Sequence, residues 1–243
     1  MNKKEESSAP AYTQKGYAEQ LNYQLWSTSR IRFAAAKRLR EKNQLSNQMI
    51  AYSSAYVILL SIIQIFIEND SLNSFLTVIN VFFAIVILVV SQLESAADYS
   101  LRSNKFNECG LKVSRLYSEL RRLKGEKKDG SGLDTLEFSK KIAAIDEQYG
   151  ELLFRYENHE EIDYLMFKAS YPNYEDHKLS PKEVTAIKRS YCWRVKGFAL
   201  SLMYIPPILL LLLSVWQILL KPSQKDTIEY IFISCFSSFF GFA

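Results

Sequence analysis

The chain is poor in the residues that most often carry chemistry. Its 243 residues include only three cysteines, two histidines and eight glycines. Cys109, Cys192 and Cys235 stand far apart without CxxC spacing, which gives no support for a disulfide framework or a zinc site. His159 and His177 belong to no HExxH or other spaced ligand set, and no Walker, GxSxG or GxGxxG motif occurs. The sequence therefore predicts a protein that is not an enzyme and needs no cofactor.

Three long stretches lack charged residues altogether. Residues 50–67, 75–93 and 197–220 contain no Asp, Glu, Lys or Arg. A bilayer core of roughly 30 Å needs about 20 helical residues, and a helix of a soluble core would show a charged face. We therefore expect three transmembrane helices. A fourth apolar run, 228–243, is short and carries Glu229, so it is either a returning span or an interfacial helix.

Positive charge is missing between the first two runs. The stretch QIFIENDSLNSFL, residues 64–76, has no Lys or Arg, whereas residues 30–42 and 102–115 are rich in both. The positive-inside bias places both basic flanks in the cytoplasm and the acidic loop across the membrane. We expect residues 50–93 to form a transmembrane hairpin. The polar tail 1–19 shows no signal peptide, so we expect the N-terminus in the cytoplasm.

Residues 94–196 have the pattern of cytoplasmic helices. Apolar or small residues recur at intervals of three and four on both sides of the glycine-containing break GEKKDGSG. This spacing is typical of a coiled-coil seam and predicts an antiparallel helical hairpin. The seam that we expect to pack the hairpin, or an oligomer, consists of Phe106, Val113, Leu116, Leu120, Leu123, Ile142, Ile145, Tyr149 and Leu152.

The two arms of this expected hairpin carry opposite charge. Residues 99–128 hold nine basic and three acidic residues, and residues 129–168 hold four basic and ten acidic ones. Opposite fields favour pairing of the arms. Because the acidic arm neutralises the basic one, direct binding of nucleic acid is not expected.

Polar residues in the first two runs follow helical periodicity. Seven-residue steps return to nearly the same helix face, so the polar residues form one stripe on each helix. We call the two stripes together the polar stripe, which consists of Asn47, Ser54, Ser61, Gln64, Glu68, Asn80, Ser91 and Asp98. Such a stripe serves either as hydrogen-bonding contact between helices or, in a ring of hairpins, as the lining of a pore. The sequence leaves both uses open.

A basic helix, residues 20–49, precedes the first run. Its Trp26, Arg30, Arg32, Arg38 and Arg40 are expected to anchor it at lipid headgroups. Determination of membrane topology explains the arginines equally well.

The order of these features resembles a known family. The stretch LNYQLWSTSRIRFAAAKRLREKNQLSN, followed by AYSSAYVILLSIIQ and ILVVSQLESAADYSLRSNKFNECGLKVSRLYSEL, resembles the SLATT family of SMODS- and SLOG-associating two-transmembrane effectors. It looks most like the branch found beside reverse transcriptases. The resemblance implies an antiviral membrane effector that assembles on a partner-derived signal, permeabilises the inner membrane and arrests or kills the infected cell. The implied partner is a sensor or signal-producing enzyme, such as a reverse transcriptase or nucleotidyltransferase. The alternative is a non-pore membrane scaffold that anchors a partner enzyme such as a reverse transcriptase or nuclease.

Overall fold

The computed structural model describes residues 11–67, 69–128, 134–174 and 177–220. These residues are almost entirely α-helical and contain no strand, which confirms the expected all-α membrane fold. Glu68, most of the polar tail and the run 228–243 lie outside the described residues.

Seven α-helices account for the described fold. A short 3-10 helix, Ala11–Gln14, precedes them, and a π-helical turn, Trp193–Gly197, joins the last two. The helices are α1 Tyr17–Ile65, α2 Asp70–Ala97, α3 Tyr99–Lys128, α4 Thr135–Arg155, α5 Glu161–Ser170, α6 Pro181–Cys192 and α7 Phe198–Leu220.

Helix α1 joins the basic helix and the first apolar run into one element. Its 49 residues extend for roughly 70 Å without a break. The turn that follows is short, because the Phe66 N–H bonds the carbonyl of Ile63 and α2 begins at Asp70. The loop predicted at 64–76 is therefore largely helical.

Two described helical stretches are long and apolar enough to cross a membrane. They lie within Tyr17–Ile65 and Asn73–Lys128, and only 17% and 6% of their most apolar windows are buried. The core helix of a soluble protein would be mostly buried, so low burial favours lipid as the surrounding medium.

Asp98 separates α2 from α3. Its φ of 43° lies in the left-handed region, which ends α2, and its side chain accepts a hydrogen bond from the N–H of Leu101. An Asp at this position is a favourable helix N-cap. Asp98, predicted in the polar stripe, therefore has a local role as the cap of α3.

Helix α3 runs antiparallel to α1 and packs chiefly against it. Ser103 Oγ donates to the carbonyl of Ala36 at 2.8 Å, and Lys124 pairs with Glu19 at 2.6 Å. Gly110 permits the close approach, because a Cβ there would lie 2.8 Å from Cε1 of Phe33. The expected two-helix hairpin is thus extended by α1, whose buried face the sequence pattern did not assign to this core.

Helix α4 returns antiparallel to α3 and completes a three-helix core. Lys127 lies over the Phe138 ring at one end, and Lys112 Nζ donates to the Tyr156 hydroxyl at the other. All the seam residues lie in buried clusters, with Leu152 partly buried. The opposite charges of the two arms pair directly at Arg102 and Glu157, whereas Lys124 of the basic arm pairs with Glu19 of α1.

Helix α5 packs on α1 and α6 packs on α5, and both helices begin with capping boxes. Glu160 and Asp163 form the box of α5. Ser180 and Glu183 form that of α6, with Pro181 at its first position. One compact unit runs to Phe198, and a second unit begins at Ala199.

Candidate functional site

Three arginines bind the segment that connects α4 to α5 and the start of α5. Arg32 and Arg38 extend from α1, and Arg102 extends from α3. They hold the acidic segment YENHEEID, residues 156–163. We call Arg32, Arg38 and Arg102, with their partners Glu157, Glu160 and Asp163, the arginine clamp.

The pair Arg38–Asp163 is the buried centre of the arginine clamp. Arg38 Nε and Nη2 donate to the two carboxylate oxygens of Asp163 at 2.8 and 3.0 Å. Arg38 Nη1 lies 2.8 Å from Glu160 Oε1. Only 1% of Arg38 and 0% of Asp163 is exposed. Two parallel charge-assisted bonds fix both position and orientation, so this pair ties α5 to α1.

Asp163 has a second role at the start of α5. Its Oδ2 also accepts from the backbone N–H of Glu160 at 3.0 Å, completing the capping box. Burial alone would lower the pKa of Arg38, but the hydrogen bonds and charges of Asp163 and Glu160 together outweigh it, so the pKa is raised. Asp163 therefore links α1 to the first turn of α5 through both of its carboxylate oxygens.

Arg102 and Arg32 hold the connector itself. Arg102 donates from Nη2 and Nε to the Glu157 carboxylate at 2.6 and 3.0 Å, which raises the pKa of Arg102. Arg32 donates to the backbone carbonyl of Glu157 and lies over the Phe106 ring. The clamp thus combines a partly exposed ion pair with a buried guanidinium.

His159 lies inside the clamp. Burial, and secondarily the nearby Arg32, lower its pKa, so it is neutral at physiological pH. Its Nδ1 and the Nε of Arg32 are buried and have no hydrogen-bond partner among the described residues. Since buried polar groups are normally satisfied, a bound water is the expected partner.

Trp26 lies in an aromatic cluster with residues of α5 and of the loop that follows it. Its ring centroid is 5.2 Å from Phe167, 5.0 Å from Tyr171 and 5.1 Å from Tyr174. His177, 5% exposed, completes the cluster through its edge contact with Phe167. This cluster fastens the first turns of α1 to α5 and the following loop.

These placements correct the headgroup-anchor prediction for three residues. Trp26, Arg32 and Arg38 contact protein, because α5 and its connector cover this face of α1. Trp26 also lies 24 residues before Ile50, roughly 36 Å along the helix. Arg30 and Arg40 are exposed, and for them anchoring stays a prediction.

Some residues of the predicted polar stripe form hydrogen bonds between the two helices of the membrane hairpin. Asn80 Nδ2 donates to Ser61 Oγ at 2.8 Å, and Gln64 Nε2 donates to Thr77 Oγ1 at 3.0 Å. Hydrogen bonds of this kind are typical contacts between transmembrane helices. At Ser61, Gln64 and Asn80 the stripe therefore joins α1 to α2.

The rest of the stripe is not brought together. Ser54 donates to the carbonyl of Ile50 in its own helix, while Asn47 and Ser91 are exposed. The buried face of α1 is one position away from the stripe and contains Ser46, Met49, Ser53 and Leu60. Asn47, Ser54 and Ser61 thus form a polar edge beside the hairpin contact.

Sequence reasoning missed the acidic half of the clamp. Glu157 and Asp163 lie about 125 residues from Arg32 and Arg38, and no periodic pattern links such distant positions. The capping-box spacing of Glu160 and Asp163 was the available signal. Among the described residues, no group of three His, Cys, Asp or Glu side chains has metal-binding geometry.

Comparison with known families agrees with this arrangement. Residues 14–213 match the SMODS and SLOG-associating 2TM effector domain family 5. The chain belongs to the SLATT family. This match covers both helices of the membrane hairpin and the whole arginine clamp. Neither the curated proteins nor the solved structures gave a match to the chain.

Proposed function

We propose that this SLATT protein is a bacterial inner-membrane effector of an antiviral conflict system, with its N-terminus and helical bundle in the cytoplasm. Copies assemble when a partner signals, open a leak, and arrest or kill the infected cell. Its role is not catalytic. The observation that supports the proposal is the polar edge of Asn47, Ser54 and Ser61, of which Asn47 and Ser61 are exposed and Ser54 is half-buried in a single copy.

Lipid is a poor environment for such an edge. Asn47 and Ser61 are exposed, although the Ser61 hydroxyl is bonded to the Val57 carbonyl and to Asn80. Polar groups in hydrocarbon gain free energy by pairing with other polar groups or by facing a water-filled path. A neighbouring copy that covers this edge supplies either arrangement.

The unbroken α1 couples the cytoplasm to the membrane. The arginine clamp and the Trp26 cluster hold the N-terminal half of α1, and the C-terminal half is the first span. A helix transmits rotation or displacement because its backbone hydrogen bonds keep it stiff. A partner that shifts α4 or α5 would therefore move the polar edge.

The cytoplasmic unit also offers a surface for that partner. Phe154 is 96% exposed at the end of α4, beside the exposed Leu153. Exposed apolar residues next to charged ones mark protein interaction sites when they cluster. We expect a sensor or signal-producing enzyme, such as a reverse transcriptase or nucleotidyltransferase, to act here.

Induced expression in bacteria with the neighbouring genes tests the proposal. The wild type should depolarise cells, measured with a potential-sensitive dye, when the partner system is triggered. The double variant Ser54→Leu, Ser61→Leu should reduce the leak while remaining in the membrane fraction. Ile58→Leu with Ile62→Leu is the matched control, because both residues are exposed on the same helix and remain apolar.

The scaffold alternative predicts a different result. A scaffold would leave the membrane potential unchanged on triggering and would be insensitive to both double variants. Full depolarisation by Ser54→Leu, Ser61→Leu would also contradict the role of the polar edge.

A further inference from the structure

A small charged cavity lies between α1, the start of α5 and the π-helical turn. Its volume is about 280 Å³. That is slightly below the roughly 300–1,000 Å³ of typical ligand pockets, so it suits a small polar group. Its lining consists of the cations Arg38, Lys42 and Arg194, the carboxylates Glu160 and Glu161, and the apolar Ile162 and Val195.

The charges of the cavity are only partly engaged. Arg38 and Glu160 belong to the arginine clamp. Lys42 lies over the Tyr99 ring, 5.6 Å from its centroid. Within the described part of the chain, no ion pair engages Lys42, Arg194 or Glu161. The cavity therefore presents two cations for an anionic group and one carboxylate for a cationic group.

The cavity lies near the cytoplasmic boundary of the membrane. Lys42 precedes Ile50, where the first apolar run begins, by eight residues, or about 12 Å. Arg194 lies four residues before Phe198, where the apolar helix α7 begins. Glu41, the neighbour of Lys42, accepts from the Tyr191 hydroxyl and pairs with Lys196, which fixes the π-helical turn beside α1.

The exposed Trp193 agrees with this depth. It is 76% exposed on the π-helical turn, next to Arg194. Tryptophan favours the interface between water and hydrocarbon, where its ring is apolar and its N–H finds a partner. Long basic side chains at this level reach phosphate groups.

We propose that this cavity holds the headgroup of a phospholipid that carries both a phosphate and a primary ammonium group, the chemistry of phosphatidylethanolamine. The phosphate lies between Lys42 and Arg194, and the ammonium lies against Glu161. This inference depends on the proposed function only for the placement of the protein in a membrane. The small volume and the uncommitted carboxylate favour this headgroup over a larger, purely anionic ligand.

Native mass spectrometry of the full chain tests the proposal. The protein is reconstituted in nanodiscs of phosphatidylethanolamine and phosphatidylglycerol, transferred to mild detergent, and the retained lipid is counted. The wild type should retain one phosphatidylethanolamine per chain. Lys42→Ala with Arg194→Ala should lower this retention by about tenfold or more, since charge-assisted bonds to the phosphate are lost. Glu161→Gln should retain lipid but lose the preference for phosphatidylethanolamine.

Lys105→Ala with Arg115→Ala is the matched control. It removes the same charge from exposed positions that do not line the cavity, so retention should be unchanged. Equal loss in both double variants, or no lipid retained by the wild type, would overturn the site. Displacement of lipid by millimolar inorganic phosphate would assign the cavity to a soluble phosphate instead.

Flotation of the same proteins on vesicles separates this inference from the proposed function. A wild type that does not float with vesicles contradicts membrane insertion itself. A wild type that floats but retains no phosphatidylethanolamine contradicts only the headgroup site.

Discussion

The two halves of α1 are held in very different ways. Before residue 50, α1 is buried against α3, α4 and α5 by apolar side chains, the Arg38–Asp163 pair and the Trp26 cluster. After residue 50, its buried residues are Ser53 and Leu60, and single hydrogen bonds join it to α2. The first half of α1 thus belongs to a well-packed bundle, and the second half belongs to a hairpin with a small interface.

This difference indicates which region can change its contacts. The bundle has a core of interlocking side chains and a buried ion pair, and rearranging it would leave charges unpaired. The hairpin has a narrow interface and no buried charge among its described residues. Under the proposed function, the bundle keeps its structure while the membrane helices exchange lipid contacts for contacts with other copies.

The largest change in stability is expected when the buried cation Arg38 is removed. Arg38→Ala should lower the free energy of unfolding by about 3–5 kcal/mol, because Asp163 is left charged and buried without its partner. Denaturant unfolding of the detergent-solubilised protein, followed by tryptophan fluorescence, measures the change. Arg40→Ala, an exposed arginine of the same helix, should stay within about 0.5 kcal/mol of wild type. Similar stabilities for the two variants would contradict a specified bundle.

A smaller effect is expected from the close contact of α1 and α3. Gly110→Ala places a Cβ against Phe33, and such overpacking costs about 1–3 kcal/mol. Gly125→Ala is the control, because nothing lies within 4 Å of its Cβ position. Both variants gain the same helix propensity of about 1 kcal/mol, so it cancels in the comparison. Thermal unfolding should place Gly110→Ala below Gly125→Ala, and the reverse order would show that Phe33 moves aside without cost.

Periodicity predicted the seam, and charge-free runs predicted the two long apolar helices. Neither pattern indicated which helices pack against the seam. The residues from Phe106 to Leu123 follow three-four spacing, which reports a buried face without saying what covers it. The face of α1 that covers it, with Leu21, Leu25 and Leu39, lies in a helix dominated by its arginines. The sequence predicted those arginines to be surface charge, because the carboxylates that bind them are distant in sequence.

The polar stripe shows a second limit of periodicity. Seven-residue spacing placed Ser54 and Ser61 on one face, yet the residues of α1 that are buried in this region are Ser53 and Leu60. A shift of one residue turns the helix by about 100°, and only the packing of α2 determines which of the adjacent faces is covered. The stripe residues Gln64 and Asn80 still join the two helices, because their amide side chains are long enough to bridge the gap.

The smallest effect is expected within the hairpin itself. A double-mutant cycle of Ser61→Ala and Asn80→Leu should give a coupling of about 0.6 kcal/mol, the average for hydrogen bonds between transmembrane helices. Reversible unfolding in mixed micelles measures it. Ser54→Ala with Asn80→Leu should show no coupling, because Ser54 bonds only to the carbonyl of Ile50 among the described residues. A coupling above about 2 kcal/mol at Ser61 would make the hairpin as firmly specified as the bundle, and helices so tightly paired could not exchange partners.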